Sequence, residues 1–367
     1  MNAPNQPWSI ILAGGEGERI RPLVQAWLGQ YRPKQYCTFV GTRSMFQHTL
    51  HRAAKLTPSD RMVTVVAQEH GILPWTQFDG IPGIQILPQP RNRDTAAGIF
   101  LPLAYIRTRD PEATVILYPS DHFVYPEDRF LEVIQYAVQT AQQPPWRLVL
   151  LGVEPECLEL EYGWIQPGHT IDQSSVSHVR AVQAFLEKPD SIQASRARDA
   201  GAVWNTLILT AKLQKLWELG WLCFPEIMPL FERLCEAIGG PEEDKTLNAI
   251  YRIMPAENFS SGLLNRVPEQ IAMIPLTGVL WSDWGKPERI AETLRKIGKQ
   301  PAFPLRFLST LRPVPARRAT VVPISMTLNR TTQCTKTNRF NQQEDYHETA
   351  TFTQERSRRE STRCKSS

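Results

Sequence analysis

The sequence predicts an α/β protein: a doubly wound, mostly parallel sheet carrying a mixed α+β subdomain. Three observations carry that prediction. Between Trp8 and Gly152, apolar runs of strand length alternate with helix-length amphipathic stretches, the rhythm of strands joined through crossover helices. Those runs have few polar positions on either face, as strands covered on both sides do. After Gly152 the alternation gives way to strand-like pieces mixed irregularly with helical ones.

Each element follows from its own residues. WSIILA (8–13) is the first strand, and QHTLHRAAKL then spaces its apolar residues as one face of a helix. MVTVVA and IQILPQ read as two further strands, followed by the helix-length apolar segment AAGIFLPLAYI. TVILY is a strand that runs into the turn PSDH, RFLEVIQYAVQTA is helical, and RLVLLGV closes the first part. In the second part VQAFLEKP and AVWNTLILT are strand-like, whereas KLQKLWEL and EIMPLFERLCEAI are helical. VLWSDWGKPERIAETLRKI repeats strand, turn and helix, with Gly285 and Pro287 marking the turn. The ordered domain is expected to span residues 1–311, in two parts of about 8–152 and 153–311. Residues 312–367 are rich in Thr, Arg, Gln, Asn and Ser and read as a basic, disordered tail with one short strand in VVPISM.

Composition narrows the function classes. The chain carries a net charge of +4, but 11 Lys/Arg and 5 Asp/Glu fall from Arg312 onward, leaving 30 basic against 32 acidic residues before it. The body therefore has no bulk nucleic-acid character. No stretch approaches the roughly 20 apolar residues of a membrane span, and the start MNAPNQPWSIILAGG lacks the basic and apolar regions of a secretory signal. A soluble cytoplasmic protein with no membrane partner is expected. Cys37, Cys157, Cys223, Cys235, Cys334 and Cys364 are scattered without metal-ligand spacing, so free thiols are expected rather than a zinc site or a disulfide framework.

LAGGEGER places Gly14, Gly15 and Gly17 directly after the first strand. Glycine there lets backbone amides approach an anion, at the strand end where doubly wound sheets hold ligands. The spacing is not the dinucleotide fingerprint, because Ile20 stands where its last glycine would fall, and the Gly-Lys-Ser/Thr of a Walker loop is absent. Arg19, Arg21 and Lys34 add fixed positive charge nearby, which suits a polyphosphate. Asp121 ends the TVILY strand and so projects over the sheet edge, and Asp283 ends another strand-like run. Their oxygen donors suit magnesium, while a helix N-cap remains the competing reading for Asp121 and an Asx turn for Asp283. His122 is assigned a structural role and Trp204 a place in the core.

Eight stretches in this order resemble the sugar-nucleotidyltransferases, most closely the mannose-1-phosphate guanylyltransferase branch: LAGGEGERIRPL, PKQY, QPRNRDTAAGI, YPSDHFV, EYGWIQPG, FLEKPD, VWNTLIL and WSDWGKPE. Together they cover about residues 8–300. The resemblance implies a Rossmann-like nucleotidyltransferase fold with a nucleotide-binding first part and a sugar-binding second part. It implies transfer of a nucleotidyl group from a nucleoside triphosphate, GTP in this branch, to a sugar-1-phosphate, mannose-1-phosphate in this branch, with release of pyrophosphate.

By the same resemblance Leu12, Ala13, Gly14, Gly15, Gly17, Gln89, Asn92 and Thr95 bind the nucleotide. Arg19, Lys34, Asp121, Lys188 and Asp283 are catalytic, with Asp121 and Asp283 holding Mg²⁺, and Gly163, Glu187 and Asn205 meet the sugar. Two positions depart from the family: Asp94 stands where Gly or Asn is common, and Leu207 replaces a glycine that often follows Trp-Asn-Ser/Thr. The same chemistry with UTP or CTP and glucose or heptose phosphate, and a non-catalytic binder of nucleotide sugars, are the alternatives, and a homodimer is left open.

Overall fold

Strand direction is where the structure departs from the sequence reading. The computed structural model describes residues 6–78, 81–173 and 178–310, all within one unit, Met1–Pro313. The expected tail, including VVPISM, Cys334 and Cys364, lies outside the described residues. In chain order the elements are β1 (Trp8–Ala13), α1 (Arg21–Leu28), α2 (Met45–Ala53), β2 (Met62–Ala67), β3 (Gln85–Gln89), α3 (Asp94–Arg109), β4 (Thr114–Pro119), β5 (Phe123–Tyr125), α4 (Glu127–Gln142) and β6 (Leu148–Val153). They continue with β7 (Gly163–Gln173), β8 (His178–Glu187), α5 (Ser191–Asp199), β9 (Val203–Lys212), α6 (Leu213–Cys223), α7 (Met228–Ala237), α8 (Glu243–Ile253), β10 (Ile271–Pro275), β11 (Leu280–Ser282), α9 (Pro287–Lys296) and α10 (Arg306–Thr310).

The main sheet runs in the order β3-β2-β1-β4-β9-β6-β10-β8-β7. Its first four strands are parallel, as expected. Beyond them the sheet is mixed, which corrects the mostly parallel expectation: β9 enters antiparallel between β4 and β6, β6 and β10 are parallel, and β8 and β7 are antiparallel additions. The reason is physical. A central strand covered on both faces is apolar throughout whichever way it runs, and β9 is buried along nearly its whole length. A small second sheet pairs β5 with β11.

The two faces of the main sheet are covered by separate cores. One gathers α3, α6 and α7 through Phe100, Trp217 and Phe231, and the other gathers α2 and α4 through Phe46, Phe130 and Ile134. Helix α3 is buried from Ala96 to Ile106, which explains its apolar character all round. A third cluster, with Leu23, Phe39, Trp284, Ile290 and Phe303, packs α1 against α9 beside the glycine loop. Because β1 has β2 on one side and β4 on the other, the loop after β1 emerges where the strand order reverses, the place such sheets keep for ligands. Among the described residues no helix is long and apolar enough to cross a membrane.

Candidate active site

The glycine loop owes its shape to close approach. A Cβ on Gly14 would lie 2.7 Å from the Gln89 amide nitrogen, and one on Gly17, at φ 65°, would lie 2.8 Å from the Lys34 Cβ. Gln35 braces the loop from below, its amide donating to the Ala13 and Gly15 carbonyls at 2.8 Å each. The Tyr36 hydroxyl bonds His70 at 3.2 Å, and His70 meets Glu16 in the loop at 3.0 Å. Gln35, Glu16 and His70 escaped the sequence reading. A buried glutamine beside Lys34 in PKQY was the one local signal for the first of them.

Beside this loop lies a cavity of about 180 Å³ lined by Leu12, Gly14, Gly15, Gln89, Asn92 and Thr95, together with Asp94. Of the residues expected at the nucleotide, Ala13 lies beneath through its braced carbonyl and Gly17 lines the neighbouring cavity. The Tyr251 hydroxyl donates to Gln89 Oε1 at 3.2 Å and fixes that side chain. Thr95 Oγ1 accepts the Phe259 amide at 2.8 Å, and Asn92 Oδ1 accepts the Asp94 amide at 2.9 Å. Asp94 itself turns onto its own helix, where Oδ1 accepts the Thr95 amide at 2.6 Å and the Asn258 amide group at 3.2 Å.

The adjoining cavity, about 230 Å³, is lined by Gly17, Arg19, Lys34, Asp121 and Gly285. Arg19, Lys34 and Asp121 are joined with the buried Asp283, which does not line the cavity, as two ion pairs. Lys34 Nζ lies 2.7 Å from Asp121 and also donates to the Asp283 carbonyl, while Arg19 lies 2.8 Å from Asp283 Oδ2. Burial would raise the Asp283 pKa, but Lys34, Arg289, the Tyr162 hydroxyl and Arg19 outweigh it and hold the group well below the usual carboxylate range. Asp121 is likewise lowered, burial being overcome by Lys34. Asp283 Oδ1 also accepts the Gly285 amide at 3.0 Å, so the Asx turn and the place in the site belong to one residue. Asp121 is not a helix cap, since α4 begins later, at Glu127 behind Pro126. His122 is pushed down to about 4 by burial, and its ring accepts the Trp281 indole N–H at 3.3 Å.

Four further residues close this end, none of them singled out from sequence. The Tyr162 hydroxyl donates to Asp283 Oδ1, Arg289 reaches both, and Glu159 takes Arg289 and, at 3.1 Å, Lys286. Tyr162 leads directly to the expected sugar residues: its carbonyl accepts the Lys188 amide at 3.2 Å. Gly163 pairs with Glu187 across β7 and β8, and a Cβ there would lie 2.8 Å from the Phe185 ring and 3.0 Å from the Glu187 carboxylate. Lys188 is exposed just past β8, before Pro189 and the Asp190 cap of α5. Asn205 is on β9, where its Oδ1 accepts the Leu207 amide at 3.0 Å, and its neighbour Trp204 pairs with Trp164 beside Gly163. Trp204 is buried in the core. Glu187 has a raised pKa, mainly from burial, with Lys188 opposing and Asp94 adding to it.

Among the described residues the non-glycine positions with positive φ are Asp94 (62°), Lys188 (45°), Leu207 (55°) and Trp284 (47°). Each lies within two residues of an expected site residue, and such strain persists only where surrounding structure enforces it. Both departures from the family thus put a side chain on backbone that favours glycine.

The donor set fits a magnesium ion. Lys34 bridges Asp121 and Asp283, its Nζ meeting the Asp121 carboxylate and the Asp283 carbonyl, and Mg²⁺ is commonly held by one or two carboxylates plus substrate phosphates. No cluster of three or more His, Cys, Asp or Glu competes among the described residues. Asp121 Oδ1 stands 3.9 Å from the nearest His122 nitrogen, beyond hydrogen-bonding distance, while Asp283 Oδ2 holds Arg19.

The chain is similar to known proteins over most of its length. The chain is 30% identical over 299 residues to the xanthan biosynthesis protein XanB of Xanthomonas campestris pv. campestris, covering 79% of this chain and 60% of that protein. It is 28% identical over 288 residues to the mannose-1-phosphate guanylyltransferase RfbM of Salmonella typhimurium, covering 75% of this chain and 56% of the relative. The chain thus spans about three fifths of the length of these curated relatives. A crystal structure from Thermus thermophilus, titled mannose-1-phosphate geranyltransferase, shares the fold with a TM-score of 0.66 at 24% identity, over 78% of this chain and 79% of that one. The nucleotidyl transferase family model matches residues 8–300. The chain belongs to that family and is similar in sequence to curated mannose-1-phosphate guanylyltransferases.

Proposed function

We propose that this chain transfers GMP from GTP to mannose-1-phosphate with Mg²⁺, forming GDP-mannose and pyrophosphate. One observation carries the reading: Arg19, Lys34 and Asp121 line a cavity beside the glycine loop, and they and the buried Asp283 are joined as two ion pairs. Similarity to mannose-1-phosphate guanylyltransferases of Escherichia coli and Salmonella supports the choice of base and sugar.

In this reading the pairs exchange partners. Arg19 and Lys34 turn to the triphosphate, and Asp121 and Asp283 are left to hold the metal. Bound there, Mg²⁺ would neutralise phosphate charge and orient the displacement. Loop amides at Gly14 and Gly15 receive the phosphate chain, and Lys188 and Glu187 hold the sugar phosphate and its hydroxyls. An oxygen of the sugar phosphate forms a bond to the α-phosphorus as the bond to the β-phosphate oxygen breaks, and pyrophosphate carries away the electron pair. A phosphate monoester is mostly dianionic near neutrality, with a second pKa of about 6, so no protein base is needed. His122, neutral above about 4, is not called upon.

The test is pyrophosphate release from a matrix of GTP, UTP, CTP and ATP against mannose-, glucose- and heptose-1-phosphate. The reading expects the highest kcat/KM for GTP with mannose-1-phosphate. A different preferred pair would reassign the substrates, and tight nucleotide-sugar binding without release from any pair would mark a non-catalytic binder.

A further inference from the structure

The proposed chemistry leaves Arg289, a half-buried cation beside Asp283, without a task. Arg289 sits in the first turn of α9, where the helix dipole disfavours positive charge, and its side chain is 20% exposed. Two carboxylates hold it there. Nη1 donates to Asp283 Oδ1 and to the Tyr162 hydroxyl, Nη2 donates to Glu159, and the guanidinium lies 5.0 Å from the centre of the Tyr162 ring. Glu159 has no part in the reaction, yet its side chain is only 5% exposed and also binds Lys286 and, at 3.1 Å, the Glu161 amide. A buried acid on the loop before β7 therefore serves to anchor the base of α9.

Arg19 and Arg289 grip opposite oxygens of the same carboxylate. They differ in freedom: the Arg19 side chain is 45% exposed and the Arg289 side chain is wedged between two acids and a ring. Spanning two carboxylates requires a planar fork, which arginine has and lysine lacks.

We infer that Arg289 is a positioning residue that fixes Asp283 through Oδ1, so that Oδ2 is the oxygen that exchanges Arg19 for the divalent cation. Once Arg19 leaves, Asp283 cannot swing without breaking its bonds to Arg289, Tyr162 and the Gly285 amide. The same clamp joins Asp283 to Tyr162, whose carbonyl holds the Lys188 amide, and so keeps the metal carboxylate in register with the sugar-phosphate lysine. The inference rests on the proposed reaction for the task of the cation, but its test does not depend on turnover.

That test is Mn²⁺ binding to the full chain, with and without GTP, read from the free-ion electron paramagnetic resonance signal beside thermal melts. Arg289→Lys keeps the charge and loses the fork; Glu159→Gln weakens the far anchor without touching Asp283. Arg289→Lys is expected to weaken Mn²⁺ binding by about 10- to 100-fold, the usual cost of losing a residue that orients a metal ligand. The KM for GTP at saturating metal should stay within about twofold of wild type, because uniform nucleotide binding is untouched. Glu159→Gln should shift Mn²⁺ affinity the same way by less, and it carries the comparison if Arg289→Lys does not fold. Lower melting temperatures with wild-type Mn²⁺ affinity in both variants would overturn the inference, as would a wild-type chain that binds no Mn²⁺ in either condition. An Arg289-dependent Mn²⁺ site in a chain that releases no pyrophosphate would uphold the clamp and refute the proposed reaction.

Discussion

Around Gly14 and Gln89 the protein makes room by omitting side chains, whereas around Asp283 it fills the space with paired charge. The first region is a backbone mould, set by Gln35 from below and by the Gln89 amide from the side. The second is an electrostatic lock, in which every acid has a cation before any substrate arrives. The difference teaches how a site for two anions can fold. Steric fit alone suffices where ligand charge will be met by amides, but carboxylates and cations buried together must neutralise one another in the resting protein.

Substitutions at the two ends should therefore fail differently. The largest effect is expected from Asp283→Asn, which removes the acid that Arg19 and Arg289 share: pyrophosphate release should fall by about 10²- to 10³-fold, the scale of losing one electrostatic contributor to catalysis. The melting temperature should fall with it, since two cations are left facing a neutral amide. Retention of full activity would remove Asp283 from the chemistry. Next comes Gly17→Ala, a steric change in the mould. Its φ of 65° and the 2.8 Å approach to Lys34 should cost about 1–3 kcal/mol of stability, measured by denaturant unfolding, and raise the KM for GTP more than that for mannose-1-phosphate.

Glu187→Gln sharpens the contrast through pH. The raised Glu187 pKa means the folded state holds its proton more tightly than the unfolded state, so this group's contribution to stability declines as pH rises through its folded pKa. The variant should lose that decline, seen in melting curves from pH 4 upward, while its KM for the sugar phosphate rises. A wild-type melting profile would contradict the burial argument. The smallest effect belongs to Asp94→Asn. Asparagine tolerates the left-handed backbone better than aspartate, and losing the charge should lower the Glu187 pKa and reduce the KM for GTP by a few-fold at most. An increase in that KM would show that the Asp94 carboxylate helps to bind the nucleotide.

Legibility in the sequence followed the same divide. The mould could be read because its determinants are local: Gly14, Gly15 and Gly17 sit together after a strand, and Gln89, Asn92 and Thr95 run from the end of β3 into the first turn of α3. The lock was legible only as separate residues, Arg19, Lys34, Asp121 and Asp283, and not in their pairing. Asp121 and Asp283 could be suspected from their strand ends, but the pairing of Arg19 with Asp283 spans 264 positions and that of Lys34 with Asp121 joins two separate loops. Arg289 and Glu159 left no signal, since Glu and Arg in a helix start and a loop ordinarily read as solvated surface. Strand direction was lost for a similar reason, because β9 is as apolar as its parallel neighbours. The positive φ at Leu207 and Asp94 falls at the two positions where the sequence departs from the family pattern.

The most direct measurement is a crystal structure of the chain with GTP, Mg²⁺ and mannose-1-phosphate. The account predicts Arg19 and Lys34 on the phosphates, the ion between Asp121 and Asp283 Oδ2, and Arg289 unmoved on Oδ1. A triphosphate seated away from Gly15, or an ion bound elsewhere while Arg19 remains on Asp283, would contradict it.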